Sequence, residues 1–227
     1  MRQSWCDLLF AHWSLAVYRL RPLVPASLEL DTFGGQAWVA VAPFTVRHLR
    51  LRGLPEIPGL NAFPELNVRT YVTVGGKPGI YFFSLDAANA AAVLGARLSY
   101  LLPYFPARMS SVKNDNWIDY ESERMGGRGA GSRFAGRYRG TGEIFEPGPG
   151  SLEHFLVERY CLYSSDRAGR LYRGDIHHDP WRLQLAEAAI EANSMAGPVG
   201  LDLAEPPATL HFSRQQDAFI WPIRRAR

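Results

Sequence analysis

The residues from Glu65 to Met109, ELNVRTYVTVGGKPGIYFFSLDAANAAAVLGARLSYLLPYFPARM, decide how the rest of the chain is read. From Glu65 to Val74 the side chains alternate: Glu65, Asn67, Arg69, Tyr71 and Thr73 point one way and Leu66, Val68, Thr70, Val72 and Val74 the other, which is the period of a strand. Gly75-Gly76-Lys77-Pro78-Gly79 predicts a turn, because glycine supplies the positive φ of tight hairpins. Ile80 to Ser84 should then return antiparallel to the first strand. A helix is expected next, capped by Ser84 or Asp86, with Ala90, Leu94, Leu98 and Leu101 on one face. Pro103 ends it, since its ring cannot continue the hydrogen-bond ladder.

Upstream, Trp5 to Trp13 reads as a strand and Leu15 to Leu20 as a short helix closed by Pro22 and Pro25. Leu28 to Phe33, Gly34-Gly35 and Gln36 to Arg50 read as a long hairpin. AWVAVAPF within it is almost continuously apolar and predicts a central strand. Downstream, Ala107 to Val112 and Trp117 to Arg124 flank a polar turn from Lys113 to Asn116. The glycine-rich GGRGAGS between Met125 and Arg133 precedes a strand-like segment. A dinucleotide cradle needs a helix there, so this reads as a loop. Ser151 should cap a short helix to Leu156, and Val157 to Ser164 and Arg170 to His177 read as strands. Trp181 to Asn193 fits a strand or a helix, and Thr209 to Arg214 and Ala218 to Ile223 read as two final strands. Many strands with few helices mean a predominantly β (α+β) fold.

No linker, charge block or repeat divides the 227 residues, so residues 1–227 are expected to form one domain. Of the 25 basic residues only Lys77 and Lys113 are lysine, and the arginines are scattered rather than striped. The net charge of +3 therefore does not point to a nucleic-acid partner. Cys6 and Cys161 form no paired motif and fit a reducing compartment. The apolar run from Leu8 to Val17 is interrupted by His12, Trp13 and Ser14 and has the form of neither a signal peptide nor a membrane span, so a cytoplasmic protein is expected.

The blocks FAHW (Phe10 to Trp13), ELNVRTYV (Glu65 to Val72), GIYFFSLDA (Gly79 to Ala87), LPYFPARM (Leu102 to Met109), ERYCLY (Glu158 to Tyr163), HHDPW (His177 to Trp181) and LHFS (Leu210 to Ser213) together resemble the YqjF-like family of bacterial proteins, filed under a domain of unknown function. The resemblance implies a fold rather than a reaction. That fold is the acetoacetate decarboxylase-like one: a cone-like, partly open antiparallel β-barrel with peripheral helices and a central cavity. In the decarboxylase a helix arginine leads to a Pro-Lys-Lys corner whose first lysine forms a Schiff base with a β-keto acid. With Arg97 as the helix arginine, Pro103 falls on the corner proline and Tyr104 and Phe105 on the two lysines. A phenol cannot condense with a ketone, so the resemblance keeps the vessel and loses that chemistry. Lys77 and Lys113 sit in predicted hairpin turns and are no substitute.

Candidate ligand-binding residues are therefore Asn67, Arg69 and Tyr71 on one strand face, with Arg97 and Tyr104. Arg69 is either a bidentate carboxylate clamp or one half of a structural ion pair with Glu65 or Asp86, and Tyr104 either a hydrogen-bond donor to ligand or a packed aromatic. His177 and His178 are candidate acid–base groups. As neighbours on a strand they point to opposite faces, so the spacing specifies no metal site and no cofactor is implied. Glu158 and Arg159 likewise oppose each other, while Asp119, Glu121 and Glu123 read as a solvated row. Neither a nucleophile elbow nor a phosphate-binding loop is present. The expected activity is binding of a small anionic or carbonyl-bearing molecule in the cavity. The alternatives are a lysine-independent lyase or hydrolase using Tyr104, Arg69 and a histidine, and a structural protein whose cavity is filled by Phe82, Phe105 and Trp117. Barrel edges and the many aromatics would permit a homodimer.

Overall fold

A strand that is apolar on both faces needs a packed layer on each side, and the run from Ala37 to Phe44 finds both. The structure, a computed structural model, describes residues 1–56, 58–59 and 61–226. In chain order the elements are β1 (Arg2–Leu15), α1 (Val17–Leu20), β2 (Glu29–Leu30), β3 (Ala37–Arg50), β4 (Phe63–Val74), β5 (Lys77–Ala87), α2 (Ala90–Tyr100), β6 (Tyr104–Asn114), β7 (Trp117–Arg124), β8 (Arg133–Phe145), α3 (Leu152–Val157), β9 (Cys161–Ser165), β10 (Leu171–His177), β11 (Leu183–Asn193), β12 (Thr209–Ile220) and β13 (Arg224–Arg225). The strands join one sheet in the order β13-β10-β9-β5-β6-β7-β8-β11-β12-β1-β3-β4-β2. Further pairings of β4 with β5 and of β10 with β12 bring that sheet back on itself into a ring-like, partly open form. The fold is predominantly β, as the alternation patterns imply. Pairing is antiparallel except where β5 meets β6 and β9.

The two extra pairings define two circuits that share β1, β3, β4, β5 and β12. Alternate residues of the shared strands therefore face different interiors. Leu9 and Ala11 of β1, Val39 and Val41 of β3, and Leu66 and Val68 of β4 pack with Tyr120, Phe134 and Tyr138 from β7 and β8. Leu8 and Phe10, Trp38 and Phe44, and Tyr71 pack instead with Val93, Leu156 and Trp181. A third cluster of Ile80, Phe82, Leu85, Leu102, Leu162 and Ile176 lies beside the second. Glu65, Asn67 and Arg69 share parity with Tyr71, so three polar side chains enter the second interior.

Several local expectations change. The β4–β5 turn is only Gly75-Gly76, both at positive φ, and β5 starts at Lys77. This is the backbone a two-residue primed turn demands. β5 continues through Ala87, which leaves Ser84 and Asp86 inside a strand, so Asn89 caps α2 by accepting from the amides of Ala91 and Ala92. The expected core face of α2 is exposed, with Leu94 at 59% and Leu98 at 75%, while Val93 is the buried contact. Gly34-Gly35 does turn the chain, bridging Phe33 to Gln36, but no long hairpin forms. β3 already has β1 and β4 as neighbours, so only Glu29–Leu30 is a strand, and it pairs with β4. Thr209 to Ile220 is one strand rather than two, held extended along β1 from His12 to Arg2. The ambiguous 183–193 segment is a strand. The expected loop at 125–132 and the Ser151 cap, which accepts from the His154 amide, are present. No helix among the described residues is long and apolar enough to cross a membrane.

Candidate functional site

Between the second and third apolar clusters lies a cavity of ≈ 80 Å³, walled by Trp5, Phe44, Phe82, Leu162 and Trp181 and by the polar side chains of Gln3, Glu65, Asn67, Arg69 and Tyr104. The β4 alternation supplies Glu65, Asn67 and Arg69, and the start of β6 supplies Tyr104. The parallel β5–β6 register sets Tyr104 beside Leu85. Phe105 turns away from the cavity and lies under the Arg124 guanidinium at 4.2 Å.

Glu65 is 95% buried, as only 5% of it meets solvent, and the Tyr104 hydroxyl donates to its carboxyl from 3.1 and 3.2 Å. Burial pushes the Glu65 carboxyl up to about 8, against the opposing pull of the Tyr104 hydrogen bond, so it is protonated at neutral pH. The same burial, with Glu65 alongside, raises the Tyr104 phenol well above its ordinary value. The Tyr120 hydroxyl reaches the Glu65 carbonyl at 2.7 Å and the Phe44 carbonyl at 3.1 Å, fixing the backbone under the acid.

Arg69 is buried without an ion pair among the described residues. Its Nε has no hydrogen-bond partner, and its guanidinium sits 5.2 Å from the Phe10 ring. Neither carboxylate expected to pair with it does so: Glu65 is protonated, and Asp86 is held by Arg124. Burial lowers the Arg69 pKa, opposed by the neighbouring Tyr71 phenol. Two further lining groups, Asn67 Oδ1 and Trp181 Nε1, are buried without hydrogen-bond partners among the described residues. Buried polar atoms are almost always paired. Three unpaired ones around one cavity form a donor–acceptor set suited to a small oxygen-bearing molecule, with the cation favouring an anion.

The remaining sequence candidates lie outside this chamber. Tyr71 stands behind Arg69, its hydroxyl 2.7 Å from His12 Nε2. Arg97 is exposed on the outer side of α2, where its Nε donates to the Tyr104 carbonyl at 2.6 Å and its guanidinium covers Phe105. It steadies the corner from outside. His177 is exposed beside Phe219. His178 is buried, stacked on Tyr160 at 4.5 Å and packed behind Trp181 at 5.2 Å, with Nδ1 2.8 Å from the Asp179 carbonyl. The two do face opposite ways. Lys77 pairs with Asp175 and Lys113 is exposed in the β6–β7 hairpin, so neither reaches the chamber. Glu158 and Arg159 follow α3 rather than lying on a strand: Glu158 accepts from the Trp181 amide, and Arg159 pairs with Asp31 at 2.5 Å. Of the aromatics able to fill the cavity, only Phe82 lines it; Trp117 lies under Arg137 and Arg139 on another face. Among the described residues no group of three or more His, Cys, Asp or Glu is placed to hold a metal ion.

Sequence reasoning assigned no ligand role to Glu65, Gln3, Trp5 or Trp181. The signal for Glu65 was available. It shares parity with Asn67 and Arg69 on a strand whose neighbour, β3, is apolar on both faces, so a buried carboxyl followed. A larger groove of ≈ 630 Å³ runs from the surface between α2 and residues 49–55 to the same point, and shares Met1, Gln3, Glu65, Ala96, Tyr100 and Tyr104 with the chamber.

Comparison with known proteins accords with this architecture. The chain is 52% identical over 225 residues to the Uncharacterized protein YqjF of Bacillus subtilis (strain 168), covering 99% of this chain and 92% of that one. Among solved structures, the enduracididine biosynthesis enzyme MppR complexed with pyruvate superposes with a TM-score of 0.66 at 12% identity, covering 99% of this chain and 89% of that chain. The acetoacetate decarboxylase of Legionella pneumophila superposes with a TM-score of 0.63 at 12% identity, covering 100% and 87%. At such identities the likeness is one of fold, and that fold is acetoacetate decarboxylase-like. Residues 2–217 match the DUF2071 family, described as "Uncharacterized conserved protein", and with the YqjF likeness this shows that the chain belongs to that family.

Proposed function

We propose that this protein binds a small organic molecule carrying a carboxylate or carbonyl group in the chamber, without Schiff-base chemistry. The observation that carries the reading is Arg69, a buried cation with, among the described residues, no carboxylate partner and an unpaired Nε beside the equally unpaired Asn67 Oδ1 and Trp181 Nε1. An anionic ligand supplies the missing charge, and the guanidinium fork matches a carboxylate in two parallel hydrogen bonds. Protonated Glu65 adds a donor rather than a second negative charge. One neighbour of the same fold is described as complexed with pyruvate, which makes pyruvate a sensible first acid to try. The test is thermal-shift titration with acetate, pyruvate and acetoacetate. An acid at one hundred times its dissociation constant should stabilise the fold by about 2.7 kcal/mol, and Arg69→Gln should abolish the shift. Absence of a shift with every carboxylic acid would overturn the reading.

A second reading, a lysine-independent acid–base enzyme, is favoured by one observation. Glu65 titrates near neutrality at the chamber wall, where a proton carrier is useful. In this reading Glu65 takes the part a histidine was expected to play, since neither His177 nor His178 lines the chamber. Arg69 would hold the carboxylate and Tyr104 would orient the Glu65 carboxyl. Exchange of the methyl protons of pyruvate in deuterated water, followed by NMR and lost in Glu65→Gln, is the outcome expected. Exchange that persists in Glu65→Gln would exclude Glu65 as the carrier.

A further inference from the structure

The chamber alone is small, ≈ 80 Å³, yet it abuts a groove of ≈ 630 Å³, with Gln3, Glu65, Tyr100 and Tyr104 lining both. The two spaces differ in character. Around Arg69 the chamber offers unpaired polar atoms, whereas the groove is walled by Leu49, Leu54, Phe63, Ala92, Gly95 and Ala96. The helix side of the groove is built of small residues at helical spacing: Ala91 and Ala92, then Gly95 and Ala96, then Ser99. A Cβ placed on Gly95 would meet nothing within 4 Å, so the space beside the helix is open. Opposite, the large apolar side chains of Leu51 and Leu54 are exposed at 61% and 56%. Arg50 stands at the rim, in no ion pair among the described residues.

We infer that the ligand is an amphipathic carboxylic acid, its carboxylate in the chamber at Arg69 and an unbranched apolar tail lying in the groove between α2 and residues 49–55. The inference rests on the carboxylate reading of the chamber and adds the class of molecule. A groove that leads to a buried cation suits a chain with one charged end. A polypeptide partner would cover the apolar walls but would leave Arg69 uncompensated. Positive charge at the rim draws an anion towards the opening. The tail passes the Glu65–Tyr104 pair, so both parts of the ligand are read at that point.

The test is a calorimetric binding series of straight-chain carboxylates from acetate to decanoate, together with pyruvate, at pH 7 and below micellar concentrations. Each added methylene beyond the first few carbons should tighten binding by roughly three- to fourfold until the groove is full. Gly95→Leu, a substitution into open space on a helix, should erase the dependence on chain length while leaving pyruvate binding as it was. Arg69→Gln should abolish binding of the whole series. A flat series with pyruvate still bound would overturn the tail assignment and leave the chamber reading intact. No binding by any acid would overturn both. A chain-length gain that survives Gly95→Leu, or long-chain binding that survives Arg69→Gln, would also overturn the inference.

Discussion

The Arg124 guanidinium grips the Asp86 carboxylate through two parallel hydrogen bonds of 2.7 Å, with both side chains closed to solvent. Asp86 lies opposite Phe105 in the β5–β6 register, and the Phe105 ring lies 4.2 Å beneath the same guanidinium. The pair therefore holds the corner that aims Tyr104 at Glu65. Asp86→Asn keeps the volume and removes the charge, leaving Arg124 buried and uncompensated. The expected cost is about 3–5 kcal/mol, read as a lower denaturant midpoint with an unchanged slope. At low temperature the folded fraction should also lose acid-induced stabilisation, since Tyr104 is no longer fixed.

Arg69 should behave in the opposite way. It is a buried charge with no ion-pair partner among the described residues, so Arg69→Met removes a desolvation penalty and is expected to stabilise the fold by about 1 kcal/mol or more. That corresponds to a rise in Tm of roughly 2–4 °C for a chain of this size. Loss of stability on this substitution, measured by thermal unfolding, would mark Arg69 as structural.

Glu65 makes stability depend on pH in a direction unusual for a carboxylate. Below about 4.5, its ordinary value, both folded and unfolded chains hold the proton. Between there and about 8 the folded chain keeps it while the unfolded chain has released it. The contribution is thus fully present at low pH and lost as pH rises through that window, by about 1.4 kcal/mol per pH unit. Glu65→Gln lacks this term. Its Tm should match the parent near pH 4.5 and exceed it increasingly up to pH 8, then by a constant margin. Affinity for carboxylates should also weaken above pH 8, where ionised Glu65 repels them.

Borohydride treatment in the presence of acetoacetate or pyruvate should give no covalent adduct by intact-mass spectrometry. Lys77 is engaged with Asp175 and Lys113 is exposed near the end of β6, both away from the chamber. An adduct at either lysine would contradict the position assigned to the ligand carbonyl.

Gly95→Leu replaces glycine in the interior of α2, where a side chain meets no obstacle. Helix propensity alone favours the variant by about 0.8–1 kcal/mol. A Tm raised by a few degrees in the absence of any acid is the expected outcome, and it establishes that effects of this variant on binding are not effects of unfolding.

The polar face of β4 was legible because a period of two needs no tertiary information: Glu65, Asn67, Arg69 and Tyr71 fall together whatever surrounds them. Which of them meets a ligand was not legible. Tyr71 is hydrogen-bonded to His12, while the Arg69 Nε has no hydrogen-bond partner among the described residues, and the His12 bond comes from β1, more than fifty residues away. The Pro103-Tyr104-Phe105 corner was located by resemblance, yet the turning of Phe105 towards Arg124 depends on the β7 register. Asn89 escaped notice as a cap because no local signal ends β5 at Ala87 rather than Ser84. The long hairpin expected before Arg50 failed for a topological reason: a strand flanked on both sides has no free edge for a third neighbour. Leu94 and Leu98 have helical spacing, but spacing cannot tell a core from an open groove or from solvent.

The strands shared by the two circuits give β4 two separate jobs, written in alternate letters. Leu66, Val68 and Thr70 answer to one interior and Glu65, Asn67 and Arg69 to the other. Change at the second set alters what the chamber recognises without reshaping the packing on the first. Such a strand can explore new ligands while its scaffold stands still. Libraries randomised at positions 65, 67 and 69 should accordingly yield folded proteins far more often than libraries randomised at 66, 68 and 70.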